Sequence, residues 1–170
     1  MSPARIARSA LRGLTLIEIM VALAILAILA SLAVPEFGRR MTQWKLQAVA
    51  ERLAFDIADA RHDAAQRGRL LHMDIQPGAQ WCWALSDAPG CGCGTAQACQ
   101  RTRVVAPAGS SVQIKEPMQL TFAPSADARS QPLMLTVQSH HDDQLRVVVT
   151  PMGRARICGP DRPLLGYPRC

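Results

Sequence analysis

Three sets of residues in this chain have types and spacings that could do chemistry. The first is a single carboxylate, Glu18, inside the apolar run from Leu14 to Val34. A carboxylate in such a segment costs at least ~2.5 kcal/mol on insertion scales, so it calls for a buried counter-ion or a functional role. The second is a set of C-terminal arginines. Arg154 and Arg156 are two apart, which on a strand puts both guanidinium groups on one face while Ala155 and Ile157 point to the other. With Arg162, Arg169 and the upstream Arg146, residues 146–170 hold five arginines against Asp161 and the terminal carboxylate. Such a cluster can bind phosphates without reading a base sequence, although on charge alone a solvated strand face is the simpler account. The third set is six cysteines, Cys82, Cys91, Cys93, Cys99, Cys158 and Cys170, all beyond the apolar run.

These groups need elements to position them. The 21 residues from Leu14 to Val34 are long enough to cross a bilayer as a helix. A leader with Arg5, Arg8 and Arg12 and no acidic residue precedes them, which keeps the N-terminus cytoplasmic and places the remainder outside the cytoplasm. Beyond Pro35, where a helix kinks more readily than it ends, Phe37, Met41, Trp44, Ala48, Leu53, Ile57, Ala60 and Ala64 recur close to helical spacing. Gly68 is the natural stop, so the pattern predicts one helix from Leu14 to Arg67, roughly 80 Å at 1.5 Å per residue. From Leu70 the period changes to two: Leu71, Met73 and Ile75, a Pro77–Gly78 turn, then Trp81, Trp83 and Leu85 predict a hairpin. After a Gly- and Cys-rich loop, Ser86 to Gln100, short strand signals follow at 112–114, 120–122, 133–137, 145–150 and 154–158. A long helix followed only by strands predicts an α+β domain, with the helix packed on an antiparallel sheet. The expected divisions are a leader at 1–13, a transmembrane helix at 14–34, an amphipathic half-helix at 35–67 and a β-rich periplasmic domain at 68–170.

The overall charge of +6 says little about partners: without the three leader arginines, 16 basic side chains face 13 acidic ones. The cysteines lie on the non-cytoplasmic side, where disulfides form. Cys158 and Cys170 enclose a short tail that one bridge would staple, worth ~3 kcal/mol by loop entropy and able to hold Arg162 and Arg169 near the strand arginines. Cys82, Cys91, Cys93 and Cys99 allow three connectivities, which the sequence leaves open. Cys91 and Cys93 are too close to pair with each other, which favours crossed bridges from them to Cys82 and Cys99. Zinc is disfavoured because no Cys-x-x-Cys spacing is present. His140, His141, Asp142 and Asp143 are metal-ligand types, but between two strand signals a polar hairpin turn is the simpler reading. His62 and His72 stand apart from any nucleophile at a recognisable spacing. No enzyme, metal or cofactor is therefore expected.

At the N-terminus an ordinary secretory signal, with Ser31, Leu32 and Ala33 as its cleavage site, is opposed by Glu18, since an h-region carries no charge. A plain membrane anchor explains neither Gly13 nor Glu18. The stretch Gly13 to Glu18 resembles the type IV prepilin signal, in which a dedicated peptidase cuts after a glycine and a glutamate stands fifth in the mature chain. The resemblance implies cleavage after Gly13, N-methylation of Leu14, and assembly through Glu18. Leu14 departs from the phenylalanine commonest at that position, exchanging one large apolar residue for another. Physically, cleavage creates a cationic amine with a pKa of about 7.7–8.0, which in a filament neutralises Glu18 of a neighbouring subunit.

Gly153, Arg154, Ala155 and Arg156, followed by Cys158 and the terminal Cys170, resemble the Gly-Arg-x-Arg tail of FimT-like minor pilins in the GspH/FimT family. That resemblance implies a pilin-like fold and binding of double-stranded DNA during natural transformation. Arg154 and Arg156 would be the main phosphate contacts, with Arg162 and Arg169 assisting. The implied partners are prepilin peptidase, other pilins or pseudopilins, the inner membrane and DNA, with the domain in the periplasm or carried into a pilus. The alternative within the family is an H-type minor pseudopilin of a type II secretion system, a structural role without DNA. A secreted cysteine-rich enzyme is a third reading, which lacks a catalytic set.

Overall fold

The computed structural model describes residues 15–94, 99–125, 132–161 and 163–170. Gly13, Leu14 and Arg162 lie outside the described residues. The chain divides into two compact units, residues 1–38 and 39–170.

The first unit holds the beginning of α1 (Leu16–Arg67). Thr15 caps this helix: its Oγ1 accepts the backbone N–H of Glu18 at 3.3 Å, satisfying one of the donors that a helix start leaves free. The large apolar side chains from Leu16 to Val34 are all exposed, and the most apolar 18-residue window has a mean hydropathy of 2.7 with no residue buried. A helix apolar on every side has the length and composition of a membrane span.

The second unit packs the remainder of α1 against eight strands: β1 (Leu71–Gln76), β2 (Cys82–Ser86), β3 (Gln100–Val105), β4 (Val112–Ile114), β5 (Met118–Phe122), β6 (Leu133–Ser139), β7 (Gln144–Val149) and β8 (Ala155–Cys158). They form two antiparallel sheets where one was expected, in the orders β3-β2-β1-β5 and β4-β6-β7-β8. Leu46, Ala50, Leu53, Ile57, Ala60 and Ala64, spaced three or four apart, make a fully buried stripe on α1. Onto it converge Met73, Ile75, Trp83 and Leu120 from the first sheet and Leu135, Val137, Leu145 and Val147 from the second. Each large side chain so buried contributes about 1.5–3 kcal/mol. Trp81 and Trp83, on one face of the β2 segment, stack with ring centroids 5.0 Å apart. Their indole N–H groups are satisfied by the Val112 carbonyl at 3.0 Å and the Asp56 carboxylate at 2.8 Å.

The upper part of the expected helical stripe is out of phase. Phe37, Met41, Trp44 and Ala48 are exposed, and the buried stripe begins instead at Leu46. Trp44 and Leu53 are nine residues apart, about two and a half turns, and so lie on opposite sides of the helix.

Disulfides join Cys82 to Cys93, Cys91 to Cys99 and Cys158 to Cys170, with Cα separations of 6.1, 5.9 and 5.0 Å. The first two cross, and they hold the β2–β3 loop over the outer face of β2. Cys82, Ala84 and Cys93 form a small second core there.

Candidate functional site

The β7–β8 hairpin positions the arginine pair. Thr150, Pro151, Met152 and Gly153 form its turn: Gly153 N–H donates to the Thr150 carbonyl at 2.8 Å, and Thr150 N–H to the Arg154 carbonyl at 2.8 Å. Arg154 N–H donates to Thr150 Oγ1 at 3.1 Å. Proline pre-sets one turn residue, and Gly153 supplies the left-handed backbone, φ +77°, that closes such a hairpin into the next strand. A Cβ at Gly153 would meet Arg61 Cδ at 2.9 Å. Arg61 itself reaches from α1 to donate to the Ala123 carbonyl at 2.9 Å. Arg61 thus reaches the turn from the helix, and a side chain at Gly153 would have to displace it.

Arg154 and Arg156 are both exposed, whereas Ala155 and Ile157 between and beyond them pack toward the core. The tail returns beside β8: Gly159 N–H donates to the Pro168 carbonyl at 2.8 Å and Cys170 N–H to the Gly159 carbonyl at 2.9 Å, so Arg169 pairs with Gly159 in a parallel bridge. Leu165 and Gly166, both at positive φ, make the tight turn between Leu164 and Tyr167. Leu164, Leu165 and Tyr167 pack against the core, and the Tyr167 hydroxyl donates to Glu51 on α1. The Tyr167 hydroxyl and then Gln47 hold the Glu51 carboxyl below the usual range. Burial, then Glu51, pushes the Tyr167 phenol up. The tail is therefore fastened twice, by the Cys158–Cys170 bridge and by the Tyr167–Glu51 contact, and it carries Arg169 exposed.

Electrostatic pairing divides the arginines. At the end of α1, Asp63 meets Arg67 at 2.7 Å, Arg69 at 3.3 Å and Arg101 at 2.7 Å, while Asp87 meets Arg69 at 3.5 Å and Arg101 at 3.0 Å. Burial raises the Asp63 carboxyl, but these arginines together outweigh it and hold the group below the usual range. Arg52 pairs with Asp56 at 3.1 Å. Among the described residues, no carboxylate lies within ion-pair distance of Arg154, Arg156 or Arg169.

The other sequence-predicted groups are dispersed. Asp142 accepts from Gln138 at 2.7 Å and Asp143 from Gln43 at 3.1 Å, while the His140 and His141 rings lie against each other in the β6–β7 turn. Among the described residues, no three His, Cys, Asp or Glu side chains gather as metal ligands would. A cavity of about 340 Å³ lies between the cross-linked loop and the outer face of the first sheet, lined by His72, Asp74, Ser86, Gln119 and Thr121. Asp74 there accepts from Cys93 N–H at 3.4 Å and Gln119 at 3.3 Å, and His72 lies 3.3 Å from Thr121 Oγ1, so its polar groups satisfy one another. Glu18 stands exposed in the first turn of α1, where the helix dipole favours a carboxylate. Thr15 was legible as its cap from the Thr-x-x-Glu spacing; the roles of Arg61 and Tyr167 had no sequence signal.

Residues 8–34 match the Prokaryotic N-terminal methylation motif. The fold matches a crystal structure of the type IV minor pilin FimU of Pseudomonas aeruginosa, with a TM-score of 0.55, 15% identity, and coverage of 69% of this chain and 93% of that one. The chain carries a prepilin-type methylation motif on a pilin-like fold. A second crystal form of FimU matches with a TM-score of 0.53 at 15% identity over 68% of this chain and 97% of that one. No curated protein matches by sequence. The methylation motif implies processing by a prepilin peptidase and assembly with other pilins, and the apolar start of α1 is long and apolar enough to cross a membrane.

Proposed function

We propose that this chain is a minor pilin subunit of a type IV filament system and binds duplex DNA through its C-terminal arginines during DNA uptake. The observation that carries this reading is the exposure of Arg154, Arg156 and Arg169 without carboxylate partners among the described residues, on a hairpin and tail fixed by hydrogen bonds and a disulfide. Guanidinium groups carried on a fixed backbone and left uncompensated attract phosphate. The likeness to FimU, itself a type IV minor pilin, supports the minor-pilin role. In this reading the chain is cut after Gly13, methylated at Leu14 and stored in the inner membrane with residues 39–170 in the periplasm. On assembly Glu18 neutralises the N-terminal amine of a neighbouring subunit, giving each buried charge its counter-ion. The role is mechanical and adhesive, not catalytic. Arg154 and Arg156 make the main phosphate contacts, with Arg162 and Arg169 assisting.

The test is binding of the full chain in non-ionic detergent to random-sequence duplex DNA, followed by fluorescence anisotropy as salt is raised. Each phosphate contact contributes about 0.9 to the slope of log K against log salt, so Arg154→Ala/Arg156→Ala should flatten that slope by about 1.8. Wild-type chain that ignores DNA at low salt would move the assignment to an H-type minor pseudopilin of a type II secretion system.

A further inference from the structure

The strand register brings a further arginine to the same face. Cys158 on β8 stands opposite Arg146 on β7, and Arg156 stands opposite Val148. Arg146 is therefore the diagonal neighbour of Arg156 on one face of the sheet, about 7–8 Å away between Cα atoms. Arg154 continues the series along β8, about 7 Å from Arg156 at the rise of an extended strand. The row containing Arg146 runs on to Thr136 of β6, whose carbonyl accepts the backbone N–H of the exposed Lys115 at 3.0 Å. Glu116, the acid at this end of the sheet, has its carboxylate on the Thr136 backbone N–H at 2.7 Å.

Arg146 is half-buried, and among the described residues its side chain has neither a carboxylate partner nor a hydrogen bond. Arg69 and Arg101, by contrast, are each bound by two carboxylates. The uncompensated charge of Arg146 adds to that of Arg154 and Arg156 on the face they share, and an anion lying across β8 and β7 would meet all three. We infer that Arg146 is a phosphate contact of the same surface, so that DNA lies across β8 and β7 and not along the tail alone. This inference rests on the DNA-binding reading above.

The experiment is the same salt titration on the full chain in detergent with duplex DNA, now comparing Arg146→Gln, Arg146→Lys and Val148→Arg. Loss of one contact should flatten the slope of log K against log salt by about 0.9, so that a fourfold rise in salt weakens Arg146→Gln about 3.5-fold less than wild type. Arg146→Lys keeps the charge and should keep the wild-type slope, which a purely packing role for the side chain would not require. Val148→Arg adds a cation opposite Arg156 and should steepen the slope by about 0.9, a gain that loss of folded protein cannot produce. If Arg154→Ala/Arg156→Ala flattens the slope while Arg146→Gln and Val148→Arg leave it at the wild-type value, the inference about β7 is wrong and the tail reading survives. If Arg154→Ala/Arg156→Ala itself changes nothing, the DNA-binding reading falls and this inference with it.

Discussion

Gly153→Ala puts the arginine hairpin under direct physical strain without removing any charge. Gly153 has φ +77°, a conformation that costs an L-residue about 1–2 kcal/mol. The new Cβ would also stand 2.9 Å from Arg61 Cδ and 3.3 Å from its Nε. Arg61 has a flexible side chain but is tethered, since its guanidinium donates to the Ala123 carbonyl at 2.9 Å. If Arg61 moves aside by giving up that bond, a further ~1.5 kcal/mol is lost, a typical value for a hydrogen bond from a charged group. The expected destabilisation is therefore about 2.5–3.5 kcal/mol, or roughly 10–14 °C in melting temperature for a domain of this size. Unfolding would be followed through the fluorescence of Trp81 and Trp83, which are buried in the core. A double-mutant cycle separates the two contributions. In an Arg61→Ala background the alanine should cost only the conformational ~1–2 kcal/mol, leaving a coupling of about 1.5 kcal/mol. Gly153→Ala within ~0.5 kcal/mol of wild type would refute the account of the turn.

Tyr167→Phe tests the second fastening of the tail through its pH dependence. The Glu51 carboxyl is lowered by the Tyr167 hydroxyl, so its stabilisation is present above the unfolded carboxyl value of about 4.3 and fades as pH falls through the lower folded value. The Tyr167 phenol is raised by burial and by Glu51, so its contribution is present below about pH 10 and is lost as pH rises through the higher folded value. The gap in urea stability between wild type and Tyr167→Phe should be widest between those limits and close at both ends. It should stay under about 1 kcal/mol because Glu51 is exposed. For assembly, Glu18→Ala leaves a buried amine without its counter-ion at ~2.5 kcal/mol or more, so its share in sheared filaments should drop at least tenfold; an unchanged share would count against the pairing.

Much of the fold was legible because local pattern and tertiary burial agree. Alternation at Leu71, Met73 and Ile75 and at Trp81 and Trp83 marks the β1–β2 hairpin, and the same residues face the core. The failures have separate causes. Strand β3 (Gln100–Val105) went unread because it is an edge strand, exposed over most of its length and carrying Arg101 and Arg103 where a buried strand carries apolar residues. The helical stripe was read with the right period and, above Leu53, the wrong phase. Phe37, Met41, Trp44 and Phe55 make a second apolar stripe opposite the buried one, and spacing alone does not say which stripe meets the sheets. The division into two sheets depends on pairings such as β1 with β5, whose partners are separated by β2, β3 and β4 in the chain.

Charge alone left the arginine cluster ambiguous, since a solvated face and an anion-binding face have the same sequence. Pairing is the observation that supports the anion-binding reading proposed above. Asp63 and Asp87 engage Arg67, Arg69 and Arg101, and those contacts tie the end of α1 to β3 and to the β2–β3 loop. An arginine so engaged has its field cancelled within a few ångströms and offers little to a distant phosphate. No acidic residue of the described chain performs that service for Arg146, Arg154, Arg156 or Arg169. The positions of these four are nonetheless fixed by the register of β7 with β8, the turn at Gly153 and the stapled tail. Uncompensated cations on adjoining strands are what the proposed recognition of a regularly charged polymer requires.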